Sequence, residues 1–352
     1  MVNIIGFDIG GVNLKGAFVS YSSKEIQSLE VCSKFYPMWL HPLDQFPKVL
    51  RALMKTLARK RSIDAIGITM TAEVSDAYRT KVEGVTHILS TFSKLEPRII
   101  KKVISTRNKF ISIEEALQDY LAIASANWVA TALFMGKRIP KCILVDIGST
   151  TTDIIPITNG VPDTKGKTDT DRFLNGELFY TGALRATIPS IVHKVPLRGK
   201  LCPTSFEKFA LAADVHLLLD HIAQAEYTCE TADGRGKTKP EALARLARIV
   251  CADTNLLSEQ EIHSMATYIY ERQLDQIRES MIQVLETHEG YDLTTPVVVT
   301  GLGAEFLAKK VAEQMKFRKL INLEQELGHQ GALAAPAAAI AILLAEELEG
   351  TH

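Results

Sequence analysis

Two short segments of this chain place a carboxylate beside a polar turn. GFDIGGVNLKGAFV spans 6–19, and LVDIGSTTTDIIPI spans 144–157. Each segment has an apolar run, an Asp-x-Gly turn, small polar residues and a second apolar run, which is typical of a β-hairpin whose tip exposes backbone N–H groups. Such amides can wrap a phosphate while Asp8 or Asp146 holds the accompanying Mg²⁺ through oxygen. Asp-Gly also turns ordinary hairpins, but a second copy favours a clamp for a metal phosphate.

Three other polar segments give weaker indications of a functional site than the two hairpins. TADGRGKT at 231–238 resembles a phosphate-binding loop, but Thr231 replaces its first glycine and no predicted strand precedes it. His216 and His221 are five residues apart on a predicted helix, a spacing that points them apart and does not predict zinc. The polar segment DTKGKTDTDR at 163–172 is expected to be a loop, functional or mobile.

The elements that must position these residues alternate between strand and helix patterns. Strands are predicted at 4–8, 17–21, 29–35, 63–70 and 296–300. Helices are predicted at 43–60, 113–135, 205–224, 240–251, 258–288, 304–314 and 332–349, with a capping box at Ser258 and Glu261. Each hairpin would therefore sit in a mixed α/β region.

Composition narrows the class of protein. A chain of 352 residues with 46% hydrophobic and 23% charged residues allows about two globular domains. The net charge of -1 supplies no overall field for a polyanion, so we expect no nucleic-acid partner. The N-terminus lacks the basic region of a signal peptide, and the longest apolar stretch, at 331–345, contains Pro336 and is shorter than the ~20 residues of a membrane span. The five widely spaced cysteines fit reduced thiols, so we expect a cytoplasmic protein without a membrane partner.

The order of these parts resembles a known superfamily. An Asp-x-Gly-Gly hairpin, a linking helix, an Asp-x-Gly-Ser-Thr hairpin, a strand with Thr-Gly-x-Gly and a closing helix are similar to sugar kinases, heat-shock protein 70 and actin. The Asp-x-Gly-Gly variant is similar to hydantoinase and oxoprolinase relatives. The resemblance implies an α/β fold of two ribonuclease-H-like domains. The first would comprise 1–127 plus 330–352, and the second 128–329, with a helical insertion at about 205–288.

The resemblance also assigns site residues. In that superfamily the two hairpins bind phosphates and the glycine-rich turn contacts adenosine. Carried over by motif, the site residues are Asp8, Gly10, Gly11, Asn13 and Lys15 in the first hairpin, Asp146, Gly148, Ser149, Thr150, Thr151 and Asp153 in the second, and Gly301, Gly303 and Glu305 in the third segment. Asp8, Asp146 and Asp153 are the expected Mg²⁺ ligands. Val12, Asn13 and Leu14 stand where hydantoinase-like relatives more often carry Thr.

Several further segments resemble a narrower family. They are ITMTAEVSDAY at 68–78, SANWVATA at 125–132, GELFYTGALR at 176–185, TADGRGKT at 231–238 and RIVCADTN at 248–255. The chain resembles the tetrahydromethanopterin-linked one-carbon transfer pathway proteins. Archaeal members of that family are similar to the methanofuran-biosynthesis enzyme that joins an aminomethyl-furanmethanol diphosphate to γ-glutamyltyramine and releases diphosphate. The resemblance implies a diphosphate substrate where kinases hold ATP.

That chemistry needs a neutralised leaving group and a base. Mg²⁺ and the hairpin amides can neutralise diphosphate, with Lys15 as a point charge. The base would favour the phenolate, since a phenol has a pKa near ~10. Glu73 follows a predicted strand whose carboxyl end should face the ligand crevice, although it could equally cap or salt-bridge a loop. The expected catalytic residues are Asp8, Lys15, Glu73 and Asp146.

Two other classes of function stay open from the sequence. The hairpin pair alone would favour an ATP-dependent small-molecule kinase or a hydantoinase-like ATPase, although a single short glycine turn is available for adenosine. A nucleotide-switched chaperone or regulator would need an appended peptide-binding domain that the pattern does not show. We expect Mg²⁺ as cofactor, with ATP only under the kinase alternative. The expected partners are the furan diphosphate and γ-glutamyltyramine, and a homo-oligomer remains open.

Overall fold

The protein is described here from a computed structural model that covers residues 1–350. The strands are β1 (Val2–Ile9), β2 (Asn13–Ser22), β3 (Glu25–Phe35), β4 (Ala65–Met70), β5 (Ile100–Ser105), β6 (Lys109–Ile111), β7 (Cys142–Ile147), β8 (Thr152–Thr158), β9 (Val161–Pro162), β10 (Leu178–Phe179), β11 (Lys194–Leu197), β12 (Lys200–Pro203), β13 (Val297–Thr300) and β14 (Leu320–Asn322). The helices are α1 (Phe46–Ala58), α2 (Lys81–Lys94), α3 (Ile113–Gln118), α4 (Asn127–Gly136), α5 (Asp169–Leu174), α6 (Ile188–Ile191), α7 (Ala212–Leu218), α8 (Lys239–Arg248), α9 (Glu259–Thr287), α10 (Lys309–Gln314), α11 (Glu324–Leu333) and α12 (Ala335–Gly350).

The chain divides into two compact units. The first comprises Met1–Leu144, Ile155–Leu174 and the segment from Ile321 onward, and the second comprises Val145–Ile154 and Asn175–Leu320. The first hairpin, β1 and β2, belongs to the first unit. The tip of the second hairpin, which joins β7 to β8, belongs to the second unit. Each unit therefore presents one Asp-x-Gly turn.

The first unit is built on a six-stranded mixed sheet of order β3-β2-β1-β4-β5-β6. β1 pairs antiparallel with β2 and parallel with β4, and β4 pairs parallel with β5. The alanine-rich α12 lies directly on this sheet, since a Cβ at Gly6 would lie only 2.1 Å from Ala337 O. Aromatic and aliphatic side chains such as Phe7, Phe46 and Phe92 fill a buried core shared with α1 and α2. The sheet thereby fixes where β1 and β4 end.

The second sheet has the order β10-β8-β7-β13-β14, with β9 paired to β8. Helices α6 to α9 lie between β10 and β13 along the chain, and α9 is the longest at 29 residues. The predicted capping box that begins α9 is confirmed, because the Ser258 and Glu261 side chains each accept a bond from the other's backbone N–H. The five cysteines are free thiols, as expected.

Three sequence predictions about secondary structure are wrong. The helix predicted at 113–135 breaks into α3, a short 3-10 turn (Tyr120–Ala122) and α4, because Ser125 adopts a left-handed conformation with φ 51°. The helix predicted at 205–224 is reduced to α7, since backbone bonds tie Ser205 to Ile249 and Leu211 bridges to Thr187. The loop predicted at 163–172 ends in α5, whose Arg172 is buried over the Trp128 ring.

Within residues 1–350, each helix taken singly lacks the length or apolar content to cross a bilayer, and α11 and α12 pass that test only as a pair bent by 118°.

Candidate functional site

The tip of the first hairpin is a tight turn beside a buried carboxylate. Asp8 lies opposite Lys15 in the antiparallel ladder, and the Gly10 N–H donates to Asn13 O at 3.1 Å. Residues that pair across a ladder lie on the same face, so Asp8 and Lys15 share one side of the sheet. Asp8 is only 7% exposed. The Lys15 ammonium donates to the Leu333 carbonyl at 2.8 Å, which anchors its chain to the segment before α12.

The second hairpin repeats this turn. The Gly148 N–H donates to Thr151 O at 3.0 Å. In both hairpins the donor is the glycine two residues after the aspartate, and the acceptor lies three residues further along the chain. The sequence prediction of two copies of one hairpin device is therefore confirmed at the backbone. Ser149 and Thr150 lie at the tip, and Asp153 lies within β8, opposite Leu178 of β10.

The glycine-rich turn after β13 packs against the second hairpin. Gly301 has φ 86°, and a Cβ there would lie 2.5 Å from Asp146 Oδ1 and 2.4 Å from Ile147 O. The Gly303 N–H donates to that same Ile147 carbonyl at 2.9 Å. Asp146, Gly301 and Gly303 are thus brought together in the second unit. Glu305 is directed elsewhere, toward an ion pair with Lys309 at 2.7 Å.

Glu73 lies beside the first hairpin. It sits in a 3-10 turn (Ala72–Val74) that follows β4, and the Thr71 N–H donates to Ile9 O at 2.9 Å. A Cβ at Gly11 would lie 3.1 Å from the Ser75 Cβ, so the two turns touch. β1 and β4 are parallel neighbours, and their carboxyl ends meet at one edge of the sheet. This explains why Glu73, which follows β4, lies beside the turn that follows β1.

Glu73 is buried in a small polar network. Its side chain is 1% exposed, and its Oε1 lies 2.7 Å from Ser125 Oγ. Ser125 Oγ also lies 2.7 Å from Asp169 Oδ2, and Lys81 Nζ donates to that same oxygen at 3.0 Å. Burial raises the pKa of Glu73, against the opposing effect of the Ser125 hydrogen bond. Sequence analysis gave neither Ser125 nor Asp169 a role of its own, although Ser125 opens the segment SANWVATA and Asp169 lies in the polar segment at 163–172.

A second polar network connects the tip of the second hairpin to helix α9. Backbone N–H groups of Ala183 and Leu184 donate to Gly148 O and Ser149 O at 2.9 and 3.0 Å. Gln273, on α9, donates to Thr181 Oγ1 at 2.9 Å and to Gly182 O at 3.0 Å. The segment 181–184 therefore bridges a long helix to the hairpin tip. Sequence reasoning missed Gln273, because a single glutamine inside a helical pattern carries no signal.

The prediction that His216 and His221 point apart is wrong. Their Nδ1 atoms lie 3.1 Å apart, and His216 Nε2 lies 3.0 Å from Gln273 Oε1. α7 ends at Leu218 and Asp220 adopts φ 57°, so the chain reverses between the two histidines instead of continuing as a helix. Complete burial and the neighbouring His221 lower the pKa of His216 to about 3. The pair is a hydrogen-bonded support of the hairpin.

The protein supplies few side chains for a metal by itself. Within the described part of the chain, no three Asp, Glu, His or Cys side chains cluster closely enough to hold an ion. Mg²⁺ bound to phosphates commonly takes only one or two protein carboxylates and fills its other positions with phosphate and water oxygens. At Asp146 the glycine at 301 leaves open the space that a Cβ would fill beside Oδ1. A carboxylate with backbone amides around it fits a magnesium phosphate better than a bare ion.

Comparison with known proteins identifies relatives over nearly the whole chain. The hydantoinase/oxoprolinase family model matches residues 64–347. The (4-{4-[2-(γ-L-glutamylamino)ethyl]phenoxymethyl}furan-2-yl)methanamine synthase of Methanocaldococcus jannaschii is 36% identical over 349 residues, 99% of both chains. The protein of the same name from Methanococcus vannielii is 37% identical over 220 residues, 62% of this chain and 97% of its own.

A solved structure shares the fold. The nucleotide-free structure of acetone carboxylase superimposes with a TM-score of 0.56 at 12% identity, covering 97% of this chain and 69% of the other. At that identity the likeness bears on the fold alone. The predicted α/β fold class is confirmed by this likeness, and the helical insertion within it stays a prediction.

Proposed function

This chain belongs to the hydantoinase/oxoprolinase family, and we propose that it is the methanofuran-biosynthesis enzyme that joins a furanylmethyl diphosphate to γ-glutamyltyramine. The observation that carries this proposal is the 36% identity to a methanamine synthase across 99% of both chains. The proposed activity is therefore that of a synthase of the transferase type.

The product named for the relatives defines the bond to be made. Its name contains a phenoxymethyl group between a furan ring and an aminoethyl chain that carries γ-glutamate. Disconnection at the ether gives a furan-2-ylmethyl fragment and the phenol oxygen of γ-glutamyltyramine. The enzyme must therefore join a phenol oxygen to a furanylmethyl carbon, and the carbon must lose a leaving group. We propose diphosphate as that group.

The hairpin turns support a diphosphate leaving group. Each turn combines backbone N–H groups with an aspartate, and such a combination binds phosphate oxygens and their counter-ion. We propose that Asp8, Asp146 and Asp153 hold Mg²⁺, which when bound would neutralise negative charge on the departing diphosphate. Lys15 would add a positive charge on the face it shares with Asp8.

Glu73 is the proposed acceptor of the phenol proton. A general base is most efficient when its pKa lies near the operating pH, and burial raises the pKa of the Glu73 carboxyl above its ordinary value. Its turn touches the first hairpin, so proton transfer would occur beside the phosphate-binding residues. General-base catalysis typically contributes about 10²–10⁴ in rate.

The proposal is tested by product formation. Purified protein is incubated with Mg²⁺ and either the aminomethyl-furanmethanol diphosphate plus γ-glutamyltyramine or ATP, and phosphate, diphosphate and coupled product are measured by mass spectrometry. We expect equal amounts of ether and diphosphate in the first mixture. Asp146→Asn should lose most of this activity, and Asp253→Asn, at an exposed loop position, should retain it. ATP hydrolysis without any diphosphate-dependent coupling would overturn the proposal in favour of a kinase or ATPase.

A further inference from the structure

The network around Glu73 contains one hydroxyl hydrogen for two carboxyl groups. Ser125 Oγ lies 2.7 Å from Glu73 Oε1 and 2.7 Å from Asp169 Oδ2. A serine hydroxyl donates one hydrogen bond and accepts others, whereas an ionised carboxylate only accepts. Ser125 can donate to one of the two carboxyls, so the other must itself donate. One of the two carboxyl groups therefore carries a proton.

The surroundings decide which carboxyl holds it. Asp169 is 21% exposed and pairs with the Lys81 ammonium, so its charge is compensated. Glu73 is sealed from water, and the charged groups that face it are Asp169, which opposes its ionisation, and the more distant Lys81. Tyr78 also lies near Glu73, and its hydroxyl is hydrogen-bonded to His87. Burial and the neighbouring Glu83 raise the pKa of Tyr78, which keeps it neutral. Glu73 is the protonated partner, and Asp169 is the carboxylate.

We propose that Glu73, Ser125 and Asp169 form a proton relay in which Ser125 and Asp169 are positioning residues that act through Glu73. At rest, Glu73 donates to Ser125 and Ser125 donates to Asp169. This inference rests on the proposed function, since it needs a substrate that releases a proton. It assigns a role to two residues that the sequence analysis left without one.

The second oxygen of Glu73 is the entry point of the relay. Oε2 is buried and has no hydrogen-bond partner within residues 1–350, which leaves it ready to accept one. The turn that carries Glu73 lies near the surface, because the adjacent Val74 is 49% exposed. The unpaired oxygen is explained if the missing partner is the substrate hydroxyl.

The steps balance as follows. The phenol O–H bond breaks and its proton passes to Glu73 Oε2, while the phenol oxygen forms its bond to the furanylmethyl carbon and diphosphate leaves with the bonding pair. The Oε1 proton moves to Ser125 Oγ, and the Ser125 proton moves to Asp169 Oδ2. Glu73 is again a neutral acid, and Asp169 is now protonated beside Lys81. Asp169 then releases the proton to water, to which its side chain is partly exposed.

The resting proton is tested without substrate. The infrared spectrum of the free protein at neutral pH should contain the carbonyl stretch of a protonated carboxylic acid that disappears in Glu73→Gln. If the spectra of the wild type and Glu73→Gln show no difference in this band, the relay is overturned. This measurement does not depend on turnover, so it separates a failure of the relay from a failure of the proposed condensation.

The relay is tested by pH profiles once condensation is detected. Asp169→Asn should lower kcat at least roughly tenfold at pH 7, with little change in KM for the diphosphate. The defect should shrink toward pH 10, because a phenol with a pKa near ~10 ionises there without help. Asp171→Asn, on the same short helix but outside the network, is the matched control. Equal kcat for Asp169→Asn and Asp171→Asn across this range would overturn the relay.

Ser125 provides a second test of the relay that avoids backbone strain. Its φ of 51° is costly for most side chains but not for glycine, so Ser125→Gly removes the hydroxyl and keeps the turn. We expect the same pH-dependent loss of kcat as in Asp169→Asn. Folded Ser125→Gly protein with wild-type kcat at pH 7 would contradict a relay through this hydroxyl.

Discussion

Individual residues in this protein matter through neighbours that are distant in sequence. The position of Glu73 after a strand was visible in the sequence, but its burial and its contact with Ser125 were not. Ser125 reaches Glu73 because a left-handed residue interrupts what reads as one continuous helix. Periodicity alone favours the unbroken helix, so this part of the site could not be predicted.

Glu73 should make the stability of the protein depend on pH. A carboxyl whose pKa is raised in the folded state stabilises the fold fully below its unfolded pKa of about 4.3, and this contribution is lost as pH rises through the folded pKa. Glu73→Gln mimics the protonated acid and cannot ionise. Urea unfolding should therefore show the wild type losing stability relative to Glu73→Gln as pH rises from about 5 to 9.

The exposed Glu289 is the control for this measurement. Glu289→Gln should follow the wild-type curve at every pH. Parallel curves for wild type and Glu73→Gln would mean that Glu73 is ionised in the folded protein at low pH as well.

Position 301 should require glycine, because the second hairpin packs closely against it. A Cβ at this position would meet Ile147 O at 2.4 Å and Asp146 Oδ1 at 2.5 Å, in addition to the strain of φ 86°. Gly301→Ala should weaken magnesium diphosphate binding by isothermal titration calorimetry at least roughly tenfold, which corresponds to about 1.4 kcal/mol.

Gly199→Ala separates the contact from the strain. Gly199 has a similar φ of 74°, but a Cβ there meets nothing within 4 Å. It should cost stability through backbone strain of about 1–3 kcal/mol and leave ligand affinity unchanged. Equal affinities for the Gly301→Ala and Gly199→Ala proteins would remove Gly301 from the binding site.

Whole elements were predictable where one local pattern dominates. Both hairpins, the strands β1 and β4 and the capped α9 follow from alternation, Asp-Gly turns and a capping box. The predictions failed at 113–135 and 205–224, where apolar spacing fits a helix but tertiary hydrogen bonds break it. Serine and aspartate can bond to their own or distant backbone as readily as they join a helix, so their positions are decided by the fold.

The network of His216, His221 and Gln273 links helix α9 to the second hairpin, and its hydrogen-bond donors can be assigned. Gln273 donates from Nε2 to Thr181 and Gly182, so its Oε1 must accept from His216 Nε2–H. The neutral His216 then accepts at Nδ1 from His221. A second proton on His216, at Nδ1, would require His221 to accept there instead of donating, and burial penalises the added charge. The arrangement therefore favours a neutral His216.

His216 should cause a loss of stability in acid. Its pKa is lowered from about 6.5 to about 3, so the neutral form stabilises the fold above pH 6.5 and this contribution is lost as pH falls toward 3. His216→Gln keeps a donor toward Gln273 and cannot titrate, so its unfolding free energy should fall less steeply over this window. His329→Gln, at an exposed ion pair, should follow the wild-type slope. Equal slopes for all three proteins would place the acid-sensitive group elsewhere.

At the scale of the whole molecule, composition and function are only loosely connected. A net charge of -1 and an ordinary apolar content fit many cytosolic enzymes, and they did not suggest an ether-forming synthase. That assignment depends on similarity along nearly the full chain, while the hairpin pair by itself favours ATP. The same turns suit any magnesium phosphate, because amides and carboxylates recognise the charge and not the group attached to it.

The second hairpin leads to a prediction about energetic coupling. We propose that Asp146 and Asp153, which lie in this hairpin, serve one magnesium diphosphate. Mutations that remove contacts to a shared ligand are not additive, whereas distant independent sites add within about 0.3–0.5 kcal/mol. In calorimetric titrations with Mg²⁺ and diphosphate, Asp146→Asn and Asp153→Asn should each weaken binding, and the double variant should lose clearly less than the sum. The pair Asp146→Asn and Asp253→Asn should be additive. Additive losses for Asp146 and Asp153 would mean that the two carboxylates act on separate ligands.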